Sequence, residues 1–186
     1  MHAIHWPEKY LPGTTDNFVS NEVIVQGLTA AQVWPYLNDT RHWCGYYKNV
    51  SKIGFDGDAG PKLRAGVKFR FTTFVFPVEA EVVEWVPPAP GQPARLAWTG
   101  LISAGTENEL DVLHAWLLED LPGGRVRILT QETQNGKPAR EMASARPNPM
   151  LNAHQDWLDG LVQTAQQQAQ ESADKKIEGE NNGRTI

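Results

Sequence analysis

Cysteine occurs once in these 186 residues, at Cys44, so no disulfide can close within the chain and a reducing compartment suits it. Basic residues are outnumbered, 17 lysines and arginines against 22 aspartates and glutamates, and the net charge of −5 offers no basic stripe to neutralise phosphates. That excludes nucleic acid as a partner. Long apolar runs are missing as well. No segment approaches the ~18 consecutive apolar residues of a membrane span. The opening "MHAIHWPEKYLPGTTDN" lacks the charged start, apolar run and small-residue cleavage site of a signal peptide. These absences predict a cytoplasmic protein with no membrane insertion.

Several chemistries are excluded in the same way. There is no G-x-G-x-x-G or Walker sequence to cradle phosphates and no G-x-S-x-G nucleophile elbow. Cys44 sits between Trp43 and Gly45 with no evident base. His2 and His5, and His42 with Cys44, are too sparse or too close together for a defined tetrahedral metal set. "DGDAGPKLRAGV" starts like a calcium loop but has Pro61 where the glycine belongs and Val67 where the bidentate glutamate belongs. No metal and no cofactor is expected.

Hydrophobic residues make up 40% of the chain, enough for one domain with a substantial core. Tryptophan is abundant, with seven, and Trp34, Trp43, Trp85, Trp98, Trp116 and Trp157 fall inside periodic segments that read as core or cavity wall. Residues 1–17, broken by Pro7, Pro12 and Gly13, read as an irregular extension that covers a cavity or joins an oligomer. Phe18 to Gly27 is strand-like. Thr29 then caps "AAQVWPYLN", a helix that Pro35 keeps short or kinked, and "DTRHWCGYY" reads as a second short helix. Strands follow around Val50 to Phe55, in "VKFRFTTF" and "PVEAEVVEWV", which both alternate dry and wet positions, and in "ARLAWTGLI".

The hairpin "LHAWLLEDLPGGRVRILTQE" sets a different problem. Period-two alternation puts Val112, His114, Trp116 and Leu118 on one face, and beyond the Pro122-Gly123-Gly124 turn Val126, Ile128, Thr130 and Glu132 share it. A histidine and a glutamate therefore point inward with the aliphatics. From Asn148 the period changes: Leu151, His154, Leu158, Leu161 and Ala165 recur at three and four, with Trp157 beside them, which predicts one long amphipathic helix. Residues 169–186 are polar and glutamine-rich and read as a disordered tail. The order of elements gives an α+β fold of about seven antiparallel strands with the long helix across one face of a curved sheet.

Three stretches, "VIVQGLTAAQVWPYLNDTRHW", "HAWLLEDLPGGRVRILTQETQNG" and "HQDWLDGLV", together spanning about residues 18 to 165, resemble the START-like superfamily. This superfamily is also called SRPBCC or the Bet v 1-like helix-grip fold, and the likeness within it is to polyketide cyclase/dehydrase-related proteins. The resemblance implies a helix-grip domain over residues 18–168 with a deep, mostly apolar cavity between sheet and helix. Its partner would be a small hydrophobic ligand, lipid-like, aromatic or polyketide-like.

Phe69, Phe71, Trp98, Trp116, Leu118 and Trp157 are the expected walls of that cavity, with Thr130 a further wall residue and Trp43, Tyr46 and Tyr47 at its mouth or sealing the short helices. If the helix grips the dry face, His154 approaches His114 and Glu132, and three ionisable groups from three elements converge. Their leading role is to orient a bound ligand. The alternative is acid–base catalysis by His114 and Glu132, as in a cyclase or dehydratase. A third reading, a partner-regulating module, predicts a filled core. A homodimer is left open.

Overall fold

The computed structural model describes residues 1–182, with side chains to residue 176, and its longest ladder is the hairpin of β6 (Leu110–Leu121) and β7 (Arg125–Asn135). Both turn glycines lie at positive φ, 84° at Gly123 and 67° at Gly124, a conformation that residues with a Cβ rarely adopt. The turn pairs Leu121 with Arg125, and the rest of the register follows from it, His114 opposite Glu132 and Trp116 opposite Thr130.

Ahead of the hairpin come β1 (Asn17–Gln26), β2 (Val50–Phe55), β3 (Lys68–Thr73), β4 (Phe76–Val86) and β5 (Ala94–Ile102). Among the described residues these seven strands form one antiparallel sheet in the order β1-β7-β6-β5-β4-β3-β2. The chain thus meanders from β2 to β7, and β1 closes the far edge against β7.

Helix α1 (Ala30–Asn38) starts at a capping box: the Thr29 hydroxyl accepts from Gln32 N–H, and the Gln32 side chain accepts from Thr29 N–H at 2.9 Å. Pro35 leaves it nine residues long. A 3₁₀ turn at Thr40–His42 leads into the single turn of α2 (Trp43–Tyr46). Helix α3 (Lys137–Ser144), which the sequence reading leaves unassigned, follows β7 directly.

The long helix α4 (Pro149–Asn182) lays Ala153, His154, Trp157, Leu158, Leu161 and Ala165 on the sheet's inner face, all buried. Leu151, expected on that stripe, is 39% exposed instead. The helix also runs on past Gln168, where the sequence reading places disorder. Glutamine is a good helix former, and Gln167 and Gln170 donate to Glu171 and Asp174 one turn on, pairs that support a helix without a core beneath it. Residues 183–186 of the expected tail lie outside the described residues. No described helix is long and apolar enough to cross a membrane.

The first ten residues lie on the opposite face of the sheet from α4, away from any space a helix-grip cavity would occupy. Ile4 and Trp6 pack on Ala97, Ala115, Leu117 and Leu129. Arg95 donates to Ala3 O and Arg127 to His2 O, each at 2.8 Å, and Lys9 pairs with Asp111. This strap explains why β6 is buried on both faces, with aliphatics at Leu113, Ala115 and Leu117 where simple alternation expects polar residues.

Candidate functional site: a buried histidine and glutamate cluster

One row of directly paired residues crosses five strands: Val82, Trp98, His114, Glu132 and Val19. All point at α4. Side chains on one sheet face repeat every second residue, so Thr130 and Gln134 flank Glu132 along β7, and Trp116 follows His114 along β6. From α4, His154 descends onto this row, and its imidazole stacks on that of His114 with centroids 4.3 Å apart and planes 7° from parallel.

The polar groups share one carboxylate. Glu132 Oε2 lies 3.4 Å from His114 Nδ1 and 3.3 Å from His154 Nε2, while Glu132 Oε1 accepts from Gln134 Nε2 at 2.5 Å. His114 Nε2 is hydrogen-bonded to Thr130 Oγ1 at 2.8 Å. The exposures of the cluster are 3% for His114, 0% for Thr130, 5% for Glu132 and 2% for His154. Among the described residues no lysine or arginine pairs with Glu132. Burial, with the second imidazole beside it, holds the His114 ring well below the usual histidine range, so it is neutral at physiological pH. Two polar atoms here have no hydrogen-bond partner, Trp116 Nε1 and His154 Nδ1. Buried polar atoms are satisfied in the great majority of cases, so these two orphans set the cluster apart.

Aromatic rings enclose the cluster. Trp98, Trp116 and Trp157 pack on His114 at centroid distances of 4.7, 5.4 and 5.4 Å. Trp157 stacks in turn on Tyr47, whose hydroxyl burial pushes up to about 12, and donates to Tyr46 Oη at 3.4 Å. Trp43 is fully buried at the centre of the core, within 6.1 Å of Phe69, Phe71, Trp98 and Trp157, and donates to Leu37 O, so it is not at a mouth. Leu118 lies one inward position beyond Trp116, opposite Ile128 and Ala94.

Where the resemblance implies a deep hollow, these rings crowd the interval between sheet and helix. Aromatic side chains carry a large apolar area, and so many on facing surfaces narrow the gap. Two depressions, of about 490 and 270 Å³, lie on the sheet's other face: one among Lys9, Lys68, Arg70 and Asp111, the other beside His5 and Trp6.

The seating of α2 over this core depends on Gly160 of α4. A Cβ there would stand 2.3 Å from the carbonyl oxygen of Tyr46, so only glycine allows that close approach. The sequence reading missed Gly160, Gln134 and the strap at Ile4 and Trp6. Gln134 lies one alternation step beyond Glu132, while Gly160 and the strap were signalled only by a glycine beside the helical stripe and a tryptophan outside the periodic segments.

No family model matches the chain, and no curated protein does. Among solved structures, the Helicobacter pylori hypothetical protein jhp0584 is 50% identical, covering 89% of this chain and 97% of its own, with a TM-score of 0.84. The chain belongs to the family of that protein. Its fold is the START-like, Bet v 1-like helix grip. Thalictrum norcoclaurine synthase, solved as a point mutant with a transition-state analogue, is similar at a TM-score of 0.55 and 10% identity over 82% of this chain and 95% of its own. Protein MLL2253 from Mesorhizobium loti gives 0.59 and 13% over 79% and 95%. At such identities the likeness is one of fold.

Proposed function

We propose that the protein binds a small aromatic molecule bearing an oxygen acceptor, seated against Trp98, Trp116 and Trp157 between β6, β7 and α4. The observation that carries this reading is the partnerless Nε1–H of Trp116, whose ring packs on His114. A buried N–H without an acceptor costs about 1–3 kcal/mol, which a ligand oxygen would recover. His114, Thr130, Glu132 and His154 then orient the ligand, and the rings supply apolar contact. A chain of lipid length is not supported, because the rings narrow the space it would need. Entry requires α2, which covers Trp157 through Tyr46 and Tyr47, to move outward.

The test is to extract whatever copurifies with the protein and to titrate it with simple phenols and aromatic carboxylates, following tryptophan fluorescence. Saturable quenching that weakens in Trp116→Phe, which keeps a ring and deletes only the N–H, supports the reading. Absence of any saturable site overturns it and leaves the reading of a module that regulates a partner through its surface.

A second reading, acid–base catalysis of the cyclase or dehydratase type, is favoured by the connection from Thr130 through His114 to Glu132. It predicts that Glu132→Gln abolishes turnover while retaining most of the binding. Unchanged turnover in both Glu132→Gln and His114→Ala would remove it.

A further inference from the structure

The spacing of the cluster does not fit a hydrogen-bonded ion pair. A charge-assisted N–H···O bond closes to about 2.7–2.9 Å. His114 Nδ1 and His154 Nε2 instead stand 3.4 and 3.3 Å from the same oxygen, Glu132 Oε2. Those separations match the edge of a coordination tetrahedron. With metal–ligand bonds of ~2.0–2.1 Å, donor atoms sit about 3.3–3.4 Å apart. We infer that His114 Nδ1, Glu132 Oε2 and His154 Nε2 form a binding site for a divalent transition-metal ion, with zinc the ion best suited to the donor set.

Three further observations support the assignment. One ligand atom from each of the three residues lies within 4.8 Å of the others. They come from three elements, β6, β7 and α4, so an ion would cross-link the sheet to the helix that grips it. Two imidazoles and one carboxylate suit a borderline-soft cation, and three protein ligands leave a fourth position open.

The outer partners are also in place. With Nε2 carrying the proton and donating to Thr130, His114 presents a lone pair at Nδ1, and Gln134 holds Oε1 so that Oε2 faces both imidazoles. The cluster offers one buried carboxylate and no lysine or arginine to balance it among the described residues, and a cation supplies that balance. Parallel rings do not aim both lone pairs at one point. Loading therefore turns the His154 ring about its Cβ–Cγ bond, and its Nδ1 has no hydrogen bond to break.

The test uses full-length protein stripped with a chelator and titrated with cobalt and then zinc, with no organic ligand present. The expected result is one ion per chain, the visible d–d absorption of tetrahedral cobalt, its displacement by zinc, and a rise in melting temperature reversed by chelator. His2→Ala, His5→Ala and His42→Ala combined keep that spectrum, because of the five histidines only His114 and His154 then remain. Thr130→Val, which preserves shape but deletes the outer hydrogen bond, weakens binding about 10–100-fold. Glu132→Gln and His154→Gln abolish it.

Failure of stripped wild-type protein to take up a stoichiometric ion overturns the inference, as does loss of the spectrum in the triple variant. Should the cluster variants not fold, the triple variant and Thr130→Val decide. The inference stands apart from the aromatic-ligand reading: metal uptake without phenol binding, or the reverse, sinks one and not the other.

Discussion

Replacing Gly160 by alanine sets two effects of opposite sign against each other. Helix propensity alone favours alanine by about 1 kcal/mol in a helix interior. The added Cβ, however, would stand 2.3 Å from Tyr46 O and 3.1 Å from Tyr46 C, and a backbone carbonyl cannot swing aside as a side chain can. Overpacking costs about 1–3 kcal/mol, and an approach this close to rigid backbone puts the cost here at the upper end, about 2–3 kcal/mol. The contact wins, and the expected net loss is about 1–2 kcal/mol. For a chain of this size that lowers the melting temperature by roughly 2–8 °C.

Relief comes by pushing α2 away from α4, which loosens the stack of Tyr47 on Trp157. Calorimetry reads the first consequence, and acrylamide quenching of the buried tryptophans, stronger in Gly160→Ala, reads the second. A variant more stable than the parent with unchanged quenching would show that propensity governs here and that α2 is not clamped through Gly160.

The remaining predictions concern the cluster and the strap. Glu132→Leu leaves Gln134 Nε2 without its acceptor, so urea unfolding should show a loss of about 1–3 kcal/mol; a neutral result would mean the carboxylate is dispensable. Because His114 is held neutral, the unfolded chain binds more protons below the ordinary histidine value of 6.5. Its contribution to stability is complete above that value and is lost as pH falls through it toward the depressed native one. Melting temperature should therefore drop between pH 7 and pH 5, and the slope should flatten in His114→Gln. Ile4→Ala removes a buried contact of the strap with Ala115 and Leu117 and should cost about 2 kcal/mol by chemical denaturation; no change would place the strap outside the folded core.

Much of this arrangement is legible along the chain because it rests on local periodicity. The inward set His114, Trp116, Thr130 and Glu132 follows from alternation on either side of a turn marked by Pro122, Gly123 and Gly124. The inward His154, Trp157, Leu158 and Leu161 follow from helical spacing, and Thr29 reads as a cap from its type and place. The departures have physical causes. Leu151 lies in the first turn of α4, where the helix has yet to settle fully on the sheet, and helix continues through the glutamine-rich stretch because pairs one turn apart sustain it. The strap went unread since residues 2–10 carry no period, and their apolar partners Ala97, Ala115, Leu117 and Leu129 belong to distant strands.

The sequence by itself determined the fold class, the order of its strands and main helices and most of the side chains that face inward, because hydrogen-bonded helices and strands impose fixed repeats on any chain that buries one face. Distances remained for the tertiary structure to decide. Whether six large rings leave a hollow or close it depends on how facing surfaces interdigitate. Whether His154 meets Glu132 at 3.3 Å or passes it by depends on how far α4 slides along the sheet, and a glycine under Tyr46 helps to set that position. Periodicity fixes directions, while packing of non-neighbouring atoms fixes separations, and the chemistry of this cluster depends on the separations.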